Sequence, residues 1–133
     1  MKIDGQCHCG AVRYDAEIDP EKVLVCHCTD CQTLTGSPYR ITIPTPRENI
    51  RLTGTTKAYV KIGDSGRRRY QNFCPECGAP IYVTGDGEGA ATWGLRWGAI
   101  RQRAALTPRK AIWCRSAIPW LDQVDALPGL DKD

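Results

Sequence analysis

Hydrophobic and polar positions alternate over short stretches of this chain, and almost nowhere do they repeat with a helical period. Val12, Tyr14, Ala16 and Ile18 fall on one side of an extended segment, with Arg13, Asp15 and Glu17 on the other. That two-residue period marks a half-buried strand. Val23-Leu24-Val25 is a compact apolar run that leads into Cys26, and Tyr39 to Ile43, Ala58 to Ile62, Pro80 to Val83 and Thr92 to Trp97 read as further strands. Pro44 with Pro46, Gly54, Gly63 with Gly66, and Gly85, Gly87 and Gly89 are expected to separate them, because these residues turn or break the chain. One short helix is expected. Thr29 and Gln32 have the spacing of a capping box, and Gly36 can end the helix after one or two turns. The pattern predicts an all-β domain, mainly β with that one short helix, whose strands pack as a sandwich or barrel. Trp93, Trp97, Trp113 and Trp120 are expected in the core or at its rim. The expected organisation is a single domain over residues 1–121 and a polar tail over 122–133 that contains Pro128 and Gly129.

Composition narrows the function classes. With 133 residues, 41% of them hydrophobic, the chain can bury a core and is not a disordered segment. No apolar run approaches the ~20 residues of a membrane helix, so no membrane partner is expected. The net charge of +3 is too mild to imply nucleic acid. Basic residues concentrate between 41 and 73 and peak at Arg67, Arg68 and Arg69. Two readings of that triplet stand: a solvated hairpin strand, or an anchor for an anionic small molecule, since guanidinium groups pair bidentately with carboxylates.

The cysteines change the picture most. Met1 to Cys7 contains no apolar leader, so the expected location is cytoplasmic and reducing. Eight cysteines in such a compartment read as metal ligands rather than a disulfide framework. They fall in three groups: Cys7-His8-Cys9, Cys26-His27-Cys28-Thr29-Asp30-Cys31 and Cys74-Pro75-Glu76-Cys77-Gly78. The last is a zinc-knuckle pattern, in which a two-residue gap turns both thiolates onto one ion and Gly78 relieves the turn. On an extended strand Cys7 and Cys9 share a face and can supply the other half of a tetrahedral site. Cys7, Cys9, Cys74 and Cys77 then form a closed structural zinc site. Cys26, Cys28 and Cys31 lie within six residues of one another, at the start of the expected helix. They suggest a second zinc with three thiolates and an open fourth position, the pattern of a catalytic site. Cys114 could close that site, but in the run around Ile112-Trp113 it reads as a small core residue. His8 and His27 alternate in face with their flanking cysteines and are not expected to ligate. Three thiolates make zinc a weak Lewis acid for water and a good partner for a further thiol, which favours carbon–sulfur chemistry over hydrolysis.

Cys7-His8-Cys9-Gly10-Ala11-Val12-Arg13-Tyr14, Cys26-His27-Cys28-Thr29-Asp30-Cys31-Gln32 with Thr35-Gly36-Ser37, and Phe73-Cys74-Pro75-Glu76-Cys77-Gly78 together resemble the glutathione-dependent formaldehyde-activating (GFA) family, which includes centromere protein V. Ser116 to Trp120 resembles a weaker family feature. The resemblance implies a β-tent fold of short antiparallel strands and two zinc ions, a structural one on Cys7, Cys9, Cys74 and Cys77 and a catalytic one on Cys26, Cys28 and Cys31. It implies a carbon–sulfur lyase that acts on a thiol–aldehyde adduct such as S-hydroxymethylglutathione, with glutathione as co-substrate; on the anion-anchor reading of their own chemistry, Arg67, Arg68 and Arg69 are the candidate binding residues. The rival class is a non-catalytic zinc-stabilised module that binds protein or nucleic acid through the arginine patch. Two departures from the family pattern bear on the substrate: Ala111 stands where members often have a histidine, and Gly94 to Pro108 lacks a short acidic turn.

Overall fold

In the computed structural model, which describes residues 1–133, the expected alternation produces strands. In chain order these are β1 (Lys2–Gln6), β2 (Arg13–Glu17), β3 (Leu24–Cys26), β4 (Arg40–Pro46), β5 (Ile50–Thr53), β6 (Lys57–Ile62), β7 (Arg68–Phe73), β8 (Pro80–Thr84), β9 (Thr92–Arg96) and β10 (Lys110–Ile112). A single α-helix, α1 (Thr29–Thr35), and several short 3-10 turns complete the chain. The fold is mainly β, as expected. A three-stranded sheet has the order β1-β2-β5, and a seven-stranded sheet has the order β10-β3-β4-β9-β8-β7-β6. All pairings are antiparallel except β10 on β3, so the large sheet is mixed.

The core forms where apolar residues of both sheets meet. Ile3, Tyr14, Ala16 and Ile50 of the small sheet cluster with Ile43, Ile81 and Leu95 of the large one. Val12, Tyr14, Ala16 and Ile18 are all buried, while Arg13, Asp15 and Glu17 are exposed. The segment after β9 covers the free edge of β1. The Arg101 amide donates to the Asp4 carbonyl, Gln102 exchanges two hydrogen bonds with Asp4, and Arg101 pairs with the Asp4 carboxylate at 2.9 Å.

Some sequence expectations need correction. Pro44 does not end a strand: β4 runs through it and ends at Pro46. Its neighbour β3 pairs only with residues 40–42, so beyond that point β4 has a free edge where a missing N–H breaks no ladder bond. The helix cap is Cys28, whose sulfur accepts the Cys31 amide at 3.3 Å, and Thr29 is the first helical residue. Gly36 does end the helix, in the left-handed conformation, with its amide on the Gln32 carbonyl. Trp93 stacks on Tyr82 with centroids 3.8 Å apart, and Trp97 packs against the core, but Trp113 and Trp120 are exposed. Cys114 is exposed in a 3-10 turn and does not pack in the core, because the chain leaves β10 through Trp113 in the left-handed conformation.

Gly5 shows how tightly the small sheet closes. It sits opposite Tyr14, and a Cβ there would lie 2.3 Å from the Tyr14 ring. Gly5→Ala is therefore expected to destabilise by about 1–3 kcal/mol, the usual cost of overpacking. Gly98, with nothing within 4 Å of its Cβ position, should tolerate alanine within about 0.5 kcal/mol. Thermal and urea melts of the two variants check the contrast.

Candidate metal centres and the adjoining cavity

The loop between β1 and β2 and the loop between β7 and β8 meet through their cysteines. Residues 7–12 form a tight turn. Its ends are joined by the Cys7 amide on the Val12 carbonyl, and the Val12 amide donates to the Cys7 sulfur at 3.2 Å. The Cys74–Cys77 loop is closed by the Gly78 amide on the Cys74 carbonyl at 2.8 Å, with Gly78 at φ +75°. Together they place Cys7, Cys9, Cys74 and Cys77 with all four sulfurs within 4.8 Å of one another. The Cys7–Cys9 and Cys9–Cys74 sulfur separations are 3.6 and 3.7 Å. These are too long for a disulfide, which needs about 2.05 Å. They match the roughly 3.8 Å edge of a tetrahedron built on 2.3 Å zinc–sulfur bonds, so the donor set fits a zinc ion. Backbone amides favour thiolate here. The Ala79 and Cys9 amides bring the Cys77 thiol down to about 6. Cys9 goes the other way, to about 12: its Ala11 amide pulls downward, but the Cys7 thiol, burial and the Cys74 thiol together raise it.

The second set is built on the end of β3 and the first turn of α1. Cys26, Cys28 and Cys31 also hold their sulfurs within 4.8 Å of one another. Against the effect of burial, the Cys31 amide, the neighbouring thiols and the Lys61 ammonium hold the Cys28 thiol below its ordinary value. Burial, followed by the neighbouring Cys28 and Cys26 thiols, pushes Cys31 up to about 12. Lys61 reaches this corner from β6 and pairs with Asp30 at 2.7 Å, which ties the β6–β7 hairpin to the helix. Gln32 donates to the carbonyls of His27 and Ser116, at 2.9 and 3.0 Å, and so pins the chain after β10 beside the set. Cys114, His8 and His27 belong to neither set. The chemistry of three sulfurs in one short segment fits zinc with a position left over for another ligand.

A cavity of about 760 Å³ opens beside these elements. Cys7 and His8 border it from the first loop, and Thr35, Ser37 and Tyr39 border it from the exit of α1. Its charge is strongly one-sided. Arg40, Arg96, Arg101 and Arg103 line it, and the lining carboxylate, Asp4, is already paired with Arg101. Arg40 and Arg96 are 5% and 7% exposed, and Gln71 bridges them, accepting from Arg40 Nη1 at 2.9 Å and from Arg96 Nη2 at 2.6 Å. Burial, then the Arg40 charge, brings Arg96 down to about 9, which leaves it cationic near neutrality.

Arg67 and Arg68 lie exposed at the tip of the β6–β7 hairpin, Arg69 is half-buried on β7, and none of the three lines the cavity. Arg40 and Arg96 escaped notice in the sequence because each sits singly in an apolar strand. The available signal was a charged residue inside the runs Tyr39–Ile43 and Thr92–Trp97. The four-sulfur geometry predicts that Cys77→Ser abolishes the fold's melting transition or leaves the protein insoluble, because structural zinc supplies roughly 10 kcal/mol or more of folding free energy. Metal content beside a thermal melt checks this, and unchanged zinc with an unchanged Tm would contradict it.

Comparison with known proteins agrees with this architecture. An uncharacterized lyase of Schizosaccharomyces pombe is 27% identical over 81 residues, which cover 61% of this chain and 56% of that protein. The match thus spans little more than half the length of that curated relative. A crystal structure of a Rhodobacter sphaeroides protein superposes with a TM-score of 0.60 at 18% identity, covering 81% of this chain and 98% of the other. At that identity the likeness is one of fold. The sequence model of the glutathione-dependent formaldehyde-activating enzyme family matches residues 2–116, from β1 to the turn after β10 and across both cysteine sets. The chain belongs to the glutathione-dependent formaldehyde-activating family.

Proposed function

We propose that this protein is a zinc-dependent carbon–sulfur lyase that acts on a thiol–aldehyde adduct such as S-hydroxymethylglutathione. The observation that carries the reading is the inequality of the two cysteine sets: four sulfurs close one, three leave the other open, and Cys114 stays outside both. Family membership and the lyase name of the yeast relative support it. Cys7, Cys9, Cys74 and Cys77 hold the structural ion, and Cys26, Cys28 and Cys31 hold the catalytic one. Zinc in the second set supplies Lewis acidity and favours the deprotonated form of a thiol.

The chain's own residues shape the rest. Gln32 ties the trio's own segment, at His27, to the chain after β10, at Ser116, and Lys61 adds positive charge beside Cys28. In the joining direction the thiol sulfur bonds to the aldehyde carbon and the carbonyl oxygen ends with the thiol's proton. The reverse reaction breaks that carbon–sulfur bond and returns the proton to sulfur. In this reading residues 1–121 form the catalytic domain, 122–133 are a tail, and the protein works in the reducing cytoplasm, where its thiols stay free for metal.

Cys28→Ser is expected to remove about one zinc equivalent and abolish adduct interconversion, while the four-sulfur site keeps the fold standing. Cys114→Ser should keep both ions and full activity. Metal analysis beside NMR of labelled formaldehyde exchanging with glutathione reads both outcomes. A zinc lost from Cys114→Ser, or no acceleration by the unaltered protein, would contradict the proposal.

A further inference from the structure

We propose that Arg40 and Arg96 form a buried receptor for a carboxylate of the substrate, set beside the Cys26–Cys28–Cys31 trio. The placement follows from strand register. Arg40 is the cross-strand partner of Cys26, and Arg96 is the cross-strand partner of Thr42, two residues further along β4. Directly opposed residues share a face, as do residues two apart, so Cys26, Arg40, Thr42 and Arg96 all project from one side of the large sheet. Gln71 closes the group from β7.

Two guanidinium groups held this close and this deeply buried call for an anion. The chain provides no carboxylate for either. The ion pairs of the protein involve Glu17, Asp19, Asp30, Asp4 and Glu21, with neither Arg40 nor Arg96 as partner. Their hydrogen bonds go to the neutral groups of Gln71 and Thr42. The Nε of each arginine is fully buried and has no partner. Because Arg40 spends only Nη1 on Gln71, its Nε–Nη2 edge remains free. That edge is the two-pronged face that matches a carboxylate. Both arginines border the 760 Å³ cavity, which Arg103 and the Asp4-paired Arg101 also line. The Arg67–Arg69 triplet lies outside this cavity, so the anion site assigned here is a different one from the site suggested by the sequence.

The inference rests on the lyase reading only in making the carboxylate the substrate's own. The binding site itself is tested without turnover. The zinc-loaded protein is titrated calorimetrically with succinate, with uncharged succinamide and with inorganic phosphate, and the metal content of each variant is measured. Succinate should bind and succinamide should not. Arg40→Gln should weaken succinate about tenfold or more with both zinc ions retained. Arg40→Lys, which keeps the charge and loses the fork, should fold and show an intermediate loss. Equal binding of succinate and succinamide, no succinate binding, or unchanged affinity in both variants would overturn the proposal. Phosphate binding more tightly than succinate would make the site one for another oxyanion and overturn the carboxylate assignment. Loss of a zinc ion from both variants with succinate affinity intact would make the pair a counter-charge for the thiols, which also overturns it. If adduct chemistry is absent but succinate binding follows this pattern, the lyase reading fails and the receptor stands. Active adduct chemistry without succinate binding does the reverse.

Discussion

The structure depends on the meeting of Cys7 and Cys9 with Cys74 and Cys77, sulfurs that touch across 65 positions of the chain. Only 26 of the 133 residues are buried, so the hydrophobic core is thin for a chain of this length. A thin core holds distant elements weakly, and a metal clip on these sulfurs would compensate by closing a long loop. Such a clip would join the turn after β1 in the small sheet to the turn before β8 in the large sheet and so fix one sheet against the other. Cys7 and Cys74 belong both to the sulfur set and to the core cluster. Packing and the prospective metal site therefore meet at the same junction.

With the junction fixed, the long sheet can carry a face that would otherwise be unfavourable. Arg40 lies across the strands from Cys26, and Arg96 lies across from Thr42; burial lowers the Arg40 pKa, and the Cys31, Cys28 and Cys26 thiols, when ionised, oppose that shift. Two buried guanidinium groups and a trio of thiols that a metal would deprotonate thus share one face of the sheet. Neither is comfortable alone in a low-dielectric setting. The helix contributes in the same place. Its cap is the sulfur of Cys28, so the group that begins α1 is also one of the prospective metal donors.

Much of this was legible in the sequence because it is local. The period-two run from Val12 to Ile18, the stop at Gly36 and the knuckle spacing at Cys74 and Cys77 each depend on neighbours within a few residues. Pairing Cys7 and Cys9 with that knuckle was also readable, since two half-sites need each other. The cap was misread because Thr29 is the usual residue type, whereas an unusual sulfur acceptor took the role. β4 was misread at Pro44 because a proline's tolerance depends on whether a neighbouring strand reaches it, and here β3 stops short. Cys114 was misread because the left-handed turn at Trp113 is invisible in composition. Arg40 and Arg96 were hidden for a related reason: a single charge in an apolar strand gains meaning only when register sets it beside another.

The central claim is that one cysteine set is closed by four sulfurs while the other is left open by three. Zinc-edge X-ray absorption on the purified, zinc-loaded protein tests it most directly. The account predicts two zinc ions per chain, with an average of about 3.5 sulfur neighbours each, rising to about 4 when glutathione is added. A single zinc ion, or four sulfurs around each ion before any thiol is present, would contradict it.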